Sequence, residues 1–235
     1  MKWSEFFTSS VGKKVVMAVT GLFLILFLVV HVTVNACIWA VFFYPDDNGE
    51  VFNKAAYFLG ATLVPRVLEI GLFLFILIHV IQGYVLEVVN RQRRGVGYKV
   101  KMGSEGSKWY RKSMGLLGTL ILLFLVVHLA DFWVPSRFGG LNEVVYPDTP
   151  GKQFHNLYGK MVIVFQNQWI VVLYILGCIS LAWHLIHGFQ SAFRTLGVVN
   201  KKYLVMLNGI GWAFSIIVCL VFAMMPVSMY LGWVK

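Results

Sequence analysis

The chain has 235 residues, of which 59% are hydrophobic and only 13% charged. A soluble domain carries about 25% charged and about 45–50% apolar residues, so this composition excludes a water-soluble globular protein. The net charge of +10 does not describe a nucleic-acid groove, because the cations sit in short runs flanking apolar segments, where they act as topology signals and lipid contacts.

In chain order, Lys13 and Lys14 precede an apolar run that extends to about Phe43. That run is too long for the core of a signal peptide, and no small-residue cleavage site interrupts it. It reads as a retained first helix, 14–43, carrying His31 and Asn35. A second helix is predicted over 66–90, with Pro65 placed where a helix can begin without losing a needed N–H. It holds Arg66, Glu69, His79 and Gly83. The segment from Arg91 to Lys112 is crowded with cations and is the expected docking surface for anionic lipid or a soluble partner.

A third helix, 113–134, carries His128 and Asp131. The stretch from Asp131 to Gln168 is long and rich in Pro, Gly and Trp. It is expected to pack over the outer mouth, with a short amphipathic helix near 152–161 and His155 as a solvated loop residue. The fourth helix, 168–193, holds His184, His187 and Gly188 and ends beside Arg194. The fifth, 203–232, contains Pro226, which is expected to kink it. Each apolar run has the roughly 20 residues that a hydrocarbon core of about 30 Å demands.

Cys37, Cys178 and Cys219 lie inside apolar segments and form no CxxC or CxxCH motif. They read as small core residues, so no disulfide framework, thiolate metal site or covalent cofactor attachment is indicated.

Most of the 20 Lys and Arg residues fall at the N-terminus (Lys2, Lys13, Lys14), between the second and third helices, and after the fourth (Arg194, Lys201, Lys202). The alternate connections carry Asp46, Asp47, Glu50, Glu143 and Asp148. The positive-inside rule then places the N-terminus in the cytoplasm and the C-terminus outside. The expected fold is an all-α membrane protein, a single domain of five transmembrane helices in one bundle.

The histidines add what the bundle surrounds, which is two haems. An ionisable residue in hydrocarbon is costly and marks function, and five of the 6 histidines lie in predicted spans. The first and third helices, which run the same way, share a pentapeptide, Phe27-Leu-Val-Val-His31 and Phe124-Leu-Val-Val-His128. At about 1.5 Å per residue His31 lies about 25 Å and His128 about 22 Å from the start of its span. Helices two and four run the other way and share His-x-x-x-Gly, His79 with Gly83 and His184 with Gly188. By the same rise both histidines lie about 15–18 Å from the inner end, on a level about 10 Å from the first pair. Residues i and i+4 share a helix face, so each glycine leaves room for a flat macrocycle beside the imidazole. This is the arrangement of bis-histidine haem sites, in which the protein supplies axial ligands and dielectric and the cofactor supplies the redox chemistry. His187 competes with His184, but its counterpart in the second helix is Gln82, so His184 is the preferred ligand.

The chain also contains Ser9-Ser-Val-Gly-Lys-Lys14 leading into Thr20-Gly-Leu-Phe, then His31-x-x-x-Asn35, Pro65-Arg66 with Leu68-Glu69, and His184-x-x-x-Gly188 followed by Gly197. In this order the motifs resemble, over essentially the whole chain, the b558-type cytochrome b subunit of succinate dehydrogenases and fumarate reductases. The resemblance implies a multi-pass anchor in a prokaryotic inner membrane with two haem b groups, the outer held by His31 and His128 and the inner by His79 and His184. It implies a flavoprotein subunit and an iron–sulfur subunit docked on the cytoplasmic face, with FAD and the iron–sulfur clusters on those partners. It also implies exchange of electrons with quinone, typically menaquinone, and is compatible with a dimer of the whole complex. Ala182 stands where some fumarate reductases of the family carry a buried glutamate implicated in proton transfer.

Quinone chemistry requires protons, so polar groups near the outer pair are candidates for quinone contact or proton exchange: Asn35, Arg66, Glu69 and Asp131. The competing assignments are an ion pair between Arg66 and Glu69 and a helix-ending role for Asp131. At the inner level Gly83, Gly188, His187 and Arg194 are candidates to surround the haem, and Arg194, Lys13 and Lys14 to meet its propionates. The three cations could equally snorkel to lipid headgroups. Trp133, Trp169 and Trp212 read as interface anchors. Paired histidines would also suit the anchor of another redox enzyme, or a proton-relay transporter. Transporters tend to show inverted repeats, whereas here the similarity joins parallel helices.

Overall fold

The structure, a computed structural model, describes residues 9–93 and 113–234. Residues 94–112 of the expected cationic docking surface, and Lys2, lie outside the described residues. Five helices are long and apolar enough to cross a membrane: Ser10–Phe42, Leu63–Gln92, Met114–Phe138, Gln168–Thr195 and Lys201–Tyr230. The shortest has 25 residues, which at about 1.5 Å each exceeds a hydrocarbon core of about 30 Å. Each span turns large apolar side chains outward, among them Leu26, Leu77, Leu123, Leu176 and Leu220. Water would penalise that surface, whereas lipid tails would not.

Helix α1 (Ser10–Ala36) starts where Ser9 Oγ accepts the Gly12 N–H at 3.0 Å, an N-cap that satisfies one orphan donor of the first turn. It tightens into a 3₁₀ stretch at Cys37–Phe42. Helix α2 (Glu50–Ala61) is an element absent from the sequence reading, because twelve residues of mixed polarity look like loop. Asp47 builds its start: its carboxylate accepts the N–H groups of Gly49 and Val51, both at 3.0 Å. Helix α3 (Leu63–Arg93) follows, with Pro65 in its first turn.

The third span is longer than expected and is not uniform. Helix α4 (Met114–His128) passes into a π-helical turn, Leu129–Trp133, and then into α5 (Val134–Phe138). The Val134 N–H reaches back to the Leu129 carbonyl, and Pro135 has no N–H to give Asp131, so the ordinary ladder cannot be kept there. Asp131 therefore sits inside the span rather than ending it.

The following connection is ordered by a two-stranded antiparallel ladder, β1 (Glu143–Val144) against β2 (Phe154–His155). The short helix expected near 152–161 is displaced to α6 (Leu157–Val164). It is apolar rather than amphipathic, because Tyr158, Met161 and Val164 are needed in the core. Asn53, fully buried, ties this layer together. Its amide donates to Tyr146 Oη at 2.8 Å and to Asn156 Oδ1 at 3.2 Å, and its Oδ1 accepts the Tyr158 N–H at 2.9 Å. Asn156 Oδ1 also caps α6 through the Gly159 N–H at 2.8 Å. Burial pushes the Tyr158 phenol up to about 12, so it remains neutral.

Helix α7 (Gln168–Thr195) and helix α8 (Lys201–Tyr230) both end in Schellman motifs. In each the last turn closes on a left-handed glycine, Gly197 (φ 97°) and Gly232 (φ 69°). The paired bonds run from Val198 N to Phe193 O and from Trp233 N to Ser228 O. Helix α8 continues through Pro226.

The chain divides into two compact units, and all five spans contribute to both. One comprises the segment ending at Phe27 with Leu72–Leu120 and Ser180–Ile216; the other comprises Leu28–Gly71, Ile121–Ile179 and the segment from Ile217 onward. In the first, Leu117 and Ile186 are buried against Trp183 and Trp212. In the second, Ile38, Phe52, Tyr158, Phe165, Tyr174 and Met229 belong to one core.

Candidate functional site

Each unit contains one pair of facing imidazoles. In the first, His79 on α3 and His184 on α7 have ring centroids 6.2 Å apart at 64°. In the second, His31 on α1 and His128 on α4 lie 5.7 Å apart at 89°. The ring opposed to His79 is that of His184. His187, one turn further along α7, is half-buried and lies near His184.

The His79 pair is set among small residues. Gly21 on α1 approaches the His79 ring so closely that a Cβ there would lie 3.4 Å from Cε1, and a Cβ at Gly118 on α4 would lie 4.0 Å from His184 Cε1. Among the described residues a Cβ on Gly83 would meet only Met17 Cε, at 3.5 Å, and one on Gly188 would meet nothing within 4 Å. Thr20, only 3% exposed, places its Oγ1 3.0 Å from His79 Nδ1. His184 Nδ1 is buried with no hydrogen-bond partner among the described residues. In the sequence Thr20 and Gly21 stand out only as part of a motif and Gly118 not at all, since nothing in α1 or α4 alone shows that they reach the rings on α3 and α7. Arg194 is exposed at the end of α7.

The His31 pair is walled by aromatics. Phe124 stacks on His128 (5.6 Å, 25°), and Phe132 and Tyr174 meet its edges at 5.6 and 6.0 Å. Phe222 lies 5.5 Å from His31. Gly177 makes this packing possible, because a Cβ there would lie 2.6 Å from the Phe124 ring. His128 Nδ1 is buried without a hydrogen-bond partner among the described residues. Asn35 turns back on its own helix, donating to the His31 carbonyl at 2.8 Å and lying 3.3 Å from His31 Nδ1.

Of the other polar candidates, Asp131 accepts a hydrogen bond from Tyr174 Oη at 2.9 Å. Glu69 is committed elsewhere. Arg137 grips it through two bonds, Nε to Oε1 at 3.0 Å and an Nη2 to Oε2 at 2.8 Å, and Trp133 Nε1 donates to Oε1 at 2.6 Å. Arg66, half exposed, remains 3.8 Å away. The ion pair expected between Arg66 and Glu69 is therefore secondary to one with Arg137, a residue 68 positions away that no local pattern could nominate. Two expected interface anchors are likewise engaged: Trp133 with Glu69, and Trp212 edge-on to Trp183 at 6.0 Å. Trp169 is 73% exposed and His155 is exposed.

Metal–imidazole bonds of about 2 Å to each of two opposed rings put the ring centroids about 6 Å apart, and both pairs lie at that spacing. Among the described residues no cluster of three or more His, Cys, Asp or Glu forms a metal site. A bare ion would therefore find only two donors at either place. An ion that brings four equatorial nitrogens of its own needs no more than two. Compared with protein-family models, with curated proteins and with solved structures, the chain matches none.

Proposed function

We propose that this chain is a di-haem cytochrome b, the membrane anchor of a succinate:quinone or quinol:fumarate oxidoreductase of the b558 type. The observation that carries the reading is the presence of two separate imidazole pairs, each bridging two spans with rings about 6 Å apart and each without a third His, Cys, Asp or Glu among the described residues. Bound there, haem b supplies reversible one-electron transfer, the chemistry that joins an iron–sulfur partner to a quinone within the membrane.

The protein's part is to hold and insulate. His31 and His128 are the ligands of one haem, His79 and His184 of the other. The open side of Gly188 gives a macrocycle space, while the aromatic wall of Phe124, Phe132, Tyr174 and Phe222 keeps water from the His31 pair. A dry site of this kind strengthens every fixed dipole that tunes a potential. In this scheme the N-terminus is cytoplasmic, the partner subunits dock on that face, and menaquinone or another quinone reacts towards the opposite face.

Of the four quinone candidates, Asp131 is the best placed. Its carboxylate retains acceptor capacity beyond the single Tyr174 bond and lies one turn from His128. Glu69 is occupied by Arg137 and Trp133, and Asn35 serves the His31 turn. The deciding experiment is a pyridine haemochrome assay with protein quantitation on the purified chain. Two b haems per polypeptide are expected; a colourless protein would end the reading.

A further inference from the structure

The two imidazoles facing each other in the His79 pair are not equivalent. Thr20 Oγ1 has a single proton, and two α1 carbonyls compete for it, Val16 O at 2.8 Å and Met17 O at 3.2 Å. A hydroxyl whose proton is committed to a carbonyl can only accept from its remaining neighbour. That neighbour is His79 Nδ1 at 3.0 Å, so the proton of the neutral ring belongs on Nδ1. Nε2 is then left with its lone pair free. His184 has no such partner, because its Nδ1 is buried without a hydrogen bond. Gly21, the next residue on α1, faces the same ring, where a Cβ would stand at van der Waals distance, 3.4 Å from His79 Cε1.

We propose that Thr20 is a positioning residue for His79. It fixes the Nε2 lone-pair tautomer and the ring orientation, and makes His79 the stronger electron donor of the two axial ligands in its pair. The proposal rests on the haem reading above. A hydrogen bond accepted from the distal N–H of a ligating imidazole raises ligand basicity and orients the ring, and loss of such a partner weakens metal affinity. A more basic axial ligand favours ferric over ferrous iron, so Thr20 holds the potential of this haem below the value it would have otherwise.

The test is spectroelectrochemical titration of the two b haems in the purified protein, together with haem content, for the wild type, Thr20→Val and Thr20→Ser. Thr20→Val keeps the shape and removes the hydroxyl. It is expected to raise the midpoint potential of one haem and leave the other unchanged, and Thr20→Ser is expected to restore the wild-type value. If Thr20→Val does not assemble, Thr20→Ala removes the same hydroxyl with less β-branched bulk. A hydroxyl-free variant holding both haems at wild-type potentials would overturn the proposal, as would a Thr20→Ser variant shifted as far as Thr20→Val. A wild-type chain without haem would overturn both this inference and the function on which it rests.

Discussion

At the residue scale, the identity of a side chain matters most where two helices must touch. Gly177 shows this: the Phe124 ring occupies the space of its absent Cβ, and that ring in turn stacks on His128. Gly177→Ala must push Phe124 off its position, an overpacking cost of about 1–3 kcal/mol. The expected result is a lower thermal midpoint in detergent, with the haem proposed at His31 and His128 disturbed before the other. Glu69 and Arg137 offer a second case, since both side chains are largely buried and bonded in two places. Either single alanine variant leaves an unpaired charge, which is worse than removing both. A double-mutant cycle followed by thermal unfolding should give a coupling of about 1–3 kcal/mol. A purely additive pair would mean that the clamp contributes nothing.

At the scale of elements, the connections carry more order than their composition suggests. Asn53 on α2 holds three partners from the segment 146–158, so Asn53→Ala strands several buried polar groups at once. A loss of about 2–3 kcal/mol is expected, visible as faster proteolytic cleavage between residues 139 and 167 while the five spans stay intact. The same layer is held at its edge by Lys54, which pairs with Glu50 and Asp148. Lys54 holds the Asp148 carboxyl below its ordinary value. A carboxyl depressed on folding contributes stability that is complete above the ordinary carboxylate range and is lost as pH falls through the depressed value. Asp148 is 60% exposed, so screening keeps this contribution small. Replacing it with Asn should flatten the acid limb of stability and lower the neutral plateau by the same small amount.

At the scale of the whole molecule, the two imidazole pairs belong to different compact units. If each pair holds a haem, as proposed, removing one of its histidines should empty that site and spare the other. His128→Ala is expected to retain one b haem per chain instead of two, with the remaining spectrum resembling that of one wild-type component. His79→Ala should give the complementary spectrum. Loss of both haems from either variant would show that the units do not bind independently.

The five spans were legible in the amino-acid sequence because a bilayer imposes a length and a polarity on each helix separately, so no knowledge of neighbours is needed. The pairing of His31 with His128 and of His79 with His184 was readable for a related reason: parallel helices repeated the same words at the same depth. Local composition hid the rest. The helix Glu50–Ala61 carries no long apolar stripe, the π-helical turn after His128 depends on Pro135, seven residues further on, and the Arg137 clamp on Glu69 joins residues far apart in sequence. Only the tertiary structure could decide that Thr20 reaches His79 and that Trp133 turns to Glu69, because hydrogen bonds between helices depend on rotation and register, and apolar periodicity leaves both open.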